Sequence, residues 1–142
     1  MTAGGEGLPR WRQRLENYAK ARDLLIEAAR LNEERALSDL EKAGFVQRYE
    51  IAWELGWKVM ADYLVAQQTP PKSFTATMAI RGALAAGLID DGDAWLAAGE
   101  LRHPLSHTYS VKKRDEAVRA IGSRFLPPFV ALHDTMARHA DG

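Results

Sequence analysis

Gln47-Arg48-Tyr49-Glu50-Ile51-Ala52-Trp53-Glu54-Leu55-Gly56-Trp57-Lys58 lies near the middle of the chain and decides how the rest is read. Tyr49, Trp53 and Trp57 continue a series that starts at Phe45 and goes on to Met60 and Leu64. Steps of three and four put all six on one side of an α-helix. Ile51, Leu55, Val59 and Tyr63 widen that stripe, as expected of a central helix with more than one neighbour. Ser38 followed by Glu41 fits a capping box at its start. Thr69-Pro70-Pro71 stops it, so the predicted helix ends at about residue 68. Gly44 and Gly56 each cost about 1 kcal/mol against alanine in a helix interior. Close packing at Gly56, or a break near Gly44, would account for them.

Outward from this element every segment has helical character. Upstream, Trp11, Leu15, Tyr18, Leu25 and Ala28 form an amphipathic stripe after Pro9, interrupted by Arg22 and fading around 32–35. Downstream, a helix from about Phe74 to Ala86 ends at Gly87. Asp90-Asp91-Gly92-Asp93 then places acids at the positive end of a fourth helix, which carries Trp95, Leu96 and Leu101 and runs into Pro104. A fifth starts near Arg114 with Ala117, Val118, Ile121 and Phe125, and Pro127-Pro128 must kink or split it before Val130, Leu132 and Met136. No segment shows two-residue alternation. The expected fold is all-α, an up-and-down bundle of four to five helices. Residues 1–8, rich in glycine, are expected to be a disordered tail, and 9–139 a single domain.

Composition narrows the function. The chain has 142 residues, 19 basic against 19 acidic side chains, and no cysteine. Disulfides, thiolate catalysis and thiolate zinc sites are therefore excluded. Neither a membrane span nor a signal peptide is legible, so a cytoplasmic protein without membrane contact is expected. Charge is nevertheless uneven: Arg102 to Arg124 holds six Lys/Arg against two acids, a local excess of +4. Any nucleic-acid contact would be made through such a local patch.

Within that basic region lies a polar cluster, Glu100-Leu101-Arg102-His103-Pro104-Leu105-Ser106-His107-Thr108-Tyr109, holding two of the four histidines. His133 and His139, in the C-terminal helix, read as surface residues. Pro104 should kink or stop the helix that carries Arg102. In an unbroken helix Arg102 and His107 would point about 140° apart, so a kink or a second subunit is needed to bring them together. Three readings fit the cluster. It is a capped helix end with Arg102 paired to a carboxylate; or His103 and His107, four apart, bind a metal with Glu100 as the one obvious third ligand; or it performs phosphoryl chemistry. In the last, an arginine holds a phosphate in a fork of N–H donors and a histidine moves a proton. RNA suits that pair, because its own 2′-hydroxyl can serve as nucleophile. No Gly-rich phosphate loop or paired-aspartate motif is present, so the chain is not expected to transfer nucleotides alone.

Arg102, four intervening residues, then His107-Thr108-Tyr109 resembles the Arg-x4-His-x-Tyr signature of HEPN domains in the HepT-toxin form. Trp11-Arg12-Gln13-Arg14-Leu15-Glu16-Asn17-Tyr18, the 47–58 stretch, Ala86-Gly87-Leu88-Ile89 and Trp95 extend the likeness to the branch known as nucleotidyltransferase substrate-binding proteins, over about residues 10–135. The resemblance implies a bundle that forms a homodimer, pairing two Arg/His motifs in a cleft, and a cognate minimal nucleotidyltransferase as antitoxin partner. It implies metal-independent RNA cleavage, with Arg102 stabilising the pentacoordinate phosphate and His107 acting as acid or base, and no cofactor or metal. AMP transferred to Tyr109 would silence it. His103, Glu100 and Ser106 are accessory candidates, and Lys112, Lys113 and Arg114 the expected RNA contacts, without DNA specificity. Many members have Asn after the motif Arg, where this chain has His103. The same resemblance allows a second function, a non-catalytic substrate-binding subunit of a two-component nucleotidyltransferase.

Overall fold

The computed structural model describes residues 9–105 and 111–141, the side chains of 103–105 and 141 excepted. Six α-helices follow in order: α1 Arg10–Glu34, α2 Asp39–Ala66, α3 Ala76–Ala85, α4 Gly92–Leu105, α5 Val111–Ala120 and α6 Leu126–Asp141. A π turn, Ile121–Phe125, joins α5 and α6. No strand occurs among the described residues, and none of the helices there is long and apolar enough to cross a membrane. The all-α bundle is as the sequence predicts. The expected tail, residues 1–8, lies outside the described residues.

α2 is the central element and packs on α1, α3, α4, α5 and α6. Its start is the capping box: the Glu41 N–H donates to Ser38 Oγ at 3.1 Å, and the Ser38 N–H to Glu41 Oε1 at 2.8 Å. Phe45, Tyr49, Trp53, Met60 and Leu64 are buried, whereas Trp57 is half-buried. Of the widening residues, Val59 is buried but Ile51 stands 47% exposed, so the stripe does not close around the helix there. At Gly44 the helix continues unbroken, with nothing within 4 Å of where a Cβ would lie. Gly56 does serve close packing, since a Cβ there would stand 2.5 Å from the Trp95 ring of α4. Gly99 of α4 does the same in return, with the Trp53 ring of α2 2.5 Å from the position of its missing Cβ. Each helix thus offers a glycine to the other's tryptophan.

The core between them is aromatic. Tyr49 stacks on Phe129 with ring centroids 5.8 Å apart, and Phe129 on Trp95 at 4.5 Å. Three of its buried polar tips are matched to helix carbonyls, as burial favours, whereas the Trp95 indole N–H is buried with no partner among the described residues. The Tyr18 hydroxyl donates to the Phe129 carbonyl at 2.6 Å, the Tyr49 hydroxyl to that of Ala98, and the Trp53 indole to that of Trp95 at 2.9 Å. Arg22, the break in the α1 stripe, lies at the margin facing α6, 2.9 Å from Asp23 and 3.9 Å from Asp134. Tyr63 meets the edge of Trp11 at 5.1 Å and of His139 at 5.4 Å, which brings the start of α1 and the end of α6 to one pole.

Boundaries differ from the expectation in three places. α3 starts at Ala76, where Thr75 accepts from the Met78 N–H at 3.2 Å. α5 starts at Val111, three residues earlier than the apolar pattern suggested. At the third, the join of α5 and α6 falls at the π turn, one turn before Pro127-Pro128. The proline rings need room at the carbonyls one turn earlier, and the wide turn supplies it, with the Leu126 N–H reaching back to the Ile121 carbonyl. Pro104 falls within α4, whose described span is Gly92–Leu105.

Candidate functional site

Arg102 is the one residue of the Arg/His/Tyr set whose side chain is described, and its setting is specific. α4 lies against α2 because Gly99 admits the Trp53 indole, and one turn later the Arg102 guanidinium covers that same ring, 4.6 Å from its centroid. A cation over an indole face gains about 1 kcal/mol when partly shielded from water. Arg102 Nη1 stands 3.6 Å from Glu54 Oε1, an ion pair beyond hydrogen-bond range, and its Nε is buried with no partner among the described residues. The guanidinium is therefore held by its face, and no carboxylate among the described residues comes within hydrogen-bond range of it.

Glu54 organises the surroundings. Its Oε2 accepts from the Trp57 indole at 3.0 Å and lies 3.6 Å from Lys58 Nζ. Glu50 lies one turn before it. Partial burial raises the Glu50 pKa above the usual carboxylate range, and the Arg102 charge opposes that rise. Together with Gln47, Ile51, Leu55 and Lys58, these residues line an open groove of about 500 Å³ with Arg102 at its wall. Two cations and two carboxylates make it close to neutral. An anion binding Arg102 has only a long ion pair to displace.

Of the other expected residues, those that are described stand apart from Arg102. Glu100 is exposed, and two residues of helix turn it about 160° away from Arg102; Glu54 holds the position expected of it. The His103 side chain, Ser106, His107 and Tyr109 lie outside the described residues, and so does the metal reading built on the two histidines. Lys112 and Lys113 are exposed in the first turn of α5. Arg114 is instead tied to α2, with Nη2 3.0 Å from Asp39 Oδ1, beside a second bridge of 2.7 Å between Lys42 and Asp115. His139 is exposed as expected. His133 is only half-exposed, and burial, helped by Arg22, lowers its pKa. Sequence reasoning passed over Glu50, Glu54 and Lys58 because it read α2 for its apolar stripe. Their spacing, with Gln47, draws a polar line at steps of three and four that marks the groove.

The described residues thus form a helical bundle with Arg102 beside a surface groove. The family model described as nucleotidyltransferase substrate binding protein like matches residues 13–138, and the chain belongs to that family. No curated protein matches it. A solved crystal structure of a protein from Thermus thermophilus is similar, with 24% identity over 86% of this chain and 97% of that one and a TM-score of 0.69. At that identity the likeness speaks for the bundle alone.

Proposed function

We propose that this chain is the HEPN-type toxin subunit of a pair with a minimal nucleotidyltransferase, and that it cleaves RNA without a metal in the cytoplasm. The observation that carries this reading is the posture of Arg102: its face is packed on Trp53, its nearest carboxylate is beyond hydrogen-bond range, and its edge is open to a groove. In the reaction the RNA 2′-oxygen attacks the adjacent phosphorus and the 5′-oxygen of the next nucleotide leaves. His107 moves the proton between them, and Arg102 holds the non-bridging oxygens as charge builds on them. The products are a 2′,3′-cyclic phosphate and a 5′-hydroxyl. A homodimer, with Ile51 and Leu55 covered, would set two such grooves together. The partner would silence the site by moving AMP from ATP to the Tyr109 oxygen with loss of pyrophosphate, adding charge and bulk two residues from His107.

A second reading, a non-catalytic substrate-binding subunit, is favoured by the family's description and by Glu50 and Glu54, which offset the groove's cations. One experiment separates them. The purified chain and its His107→Ala variant are incubated with RNA in chelator, with and without the partner and ATP, and intact mass is recorded. Cleavage lost in the variant, and abolished by an AMP adduct on Tyr109, supports the toxin. Partner binding with neither cleavage nor adduct supports the binding subunit.

A further inference from the structure

A second groove, of about 550 Å³, opens at the pole where α1 begins, lined by Arg10, Arg14, Trp57, Lys58, Lys72 and Phe74 among others. Its charge is one-sided. Asp62 is the one acid lining it, and Arg14 takes that carboxylate at 2.6 Å. Arg10 and Lys72 are exposed and form no ion pair among the described residues. The positive end of α1 adds to the field, because Pro9 offers no side-chain cap and the first turn holds no acid. The same groove is lined by two half-buried aromatic rings, Trp57 and Phe74, with Lys58 Nζ 5.9 Å from the Trp57 ring centroid. The Trp57 ring is fixed by its indole bond to Glu54, so a base that stacks on it meets an already ordered partner. Cations and aromatic rings along one groove suit a strand that carries phosphates and bases alternately.

Lys58 lines both this groove and that of Arg102, so the two adjoin along the outer side of α2. From Lys58 to Val65 is about 10 Å of helix. We propose that the groove of Arg10, Trp57, Lys58 and Lys72 is a second contact site for single-stranded RNA, holding the part of the strand that continues past Lys58 from the phosphate at Arg102. This assignment rests on the RNA reading above. It places strand-holding contacts on α1, α2 and the loop before α3, away from Lys112, Lys113 and Arg114. An acidic peptide would use the cations and leave the two rings idle, which is why a nucleic acid is the better occupant.

The test is binding of a labelled single-stranded RNA of about 12 nucleotides, followed by fluorescence anisotropy across a salt series in the His107→Ala background. Arg10→Glu with Lys72→Glu should weaken binding about tenfold or more and flatten the log–log salt slope by about 1.4, two phosphate contacts at roughly 0.7 each. Trp57→Leu should weaken it at least about fivefold, while Trp57→Phe keeps most of the affinity. Thermal melting of the charge variants should not fall below the parent, since neither side chain forms an ion pair among the described residues and an acid at position 10 favours the start of α1. Unchanged RNA affinity in the double charge variant overturns the proposal, as does a groove that binds ATP but no RNA. Cleavage by the His107 chain with unchanged binding in these variants sinks this site and spares the toxin. Lost binding with no cleavage by any variant spares the site and sinks the nuclease.

Discussion

The Trp53 indole occupies the space where a side chain on Gly99 would begin, 2.5 Å from the position of the missing Cβ. The same ring carries the Arg102 guanidinium, so the depth at which α4 settles on α2 sets the place of the candidate arginine.

Gly99→Ala should therefore do two things. The methyl group forces the ring or the helix to shift, at a cost of roughly 1–3 kcal/mol for overpacking, or several degrees in Tm. It should also lower any RNA cleavage by more than the stability loss explains, because Arg102 moves with the ring. Melting curves and cleavage rates measured well below Tm, on the same preparation, separate the two effects. Full activity in a destabilised Gly99→Ala would break the link between Gly99 and Arg102.

Glu54→Gln keeps an acceptor for the Trp57 indole but removes the negative charge next to Arg102 and Lys58. RNA affinity should rise a few-fold at low salt, and the gain should shrink as salt screens the groove. Anisotropy titrations at two ionic strengths read both. A fall in affinity would mean that the carboxylate positions Arg102 more than it competes for it.

Ser38→Ala removes one half of the capping box that starts α2. The expected loss is about 1 kcal/mol, measured by chemical denaturation with an unchanged m-value. Because every other helix packs on α2, the loss should appear in one cooperative transition, not as local fraying.

Stability should fall on acidification in two stages. His133 has its pKa lowered in the fold, first by burial and then by Arg22. Such a group favours the folded state above its unfolded pKa of about 6.5, and that contribution is lost as pH falls through the lower folded value. Glu41, brought down to about 2 by Arg35 and Ser38, acts further into acid. Its contribution is full above its unfolded value near 4.5 and is lost as pH falls from there towards 2. Tm measured from pH 7.5 to 3 should show both stages. His133→Gln should remove the upper stage, and Glu41→Gln should shrink the lower one, the rest of which comes from Asp115, whose pKa the Lys42 hydrogen bond lowers.

The helices were largely legible because their signals are local. Ser38 with Glu41, Thr69-Pro70-Pro71 and Gly87, whose φ is +78°, each fix a boundary through the chemistry of a few adjacent residues. What escaped was relational. That Gly56 receives Trp95 and Gly99 receives Trp53 depends on two helices meeting, and a lone glycine in a helix shows only its cost. The π turn is similar: two prolines announce a conflict, not whether the rod bends, breaks or widens. Of the site, Arg102 was legible from its motif. Glu54 was not, since a carboxylate on the far side of an aromatic stripe looks like ordinary solvent-facing charge until α4 brings Arg102 to it.

Tyr63, with Trp11 on one side and His139 on the other, has a practical bearing on how the protein is handled. The first turn of α1 and the last turns of α6 lie together at that pole, so a bridge built between them would allow the chain to be opened elsewhere as a circular permutant.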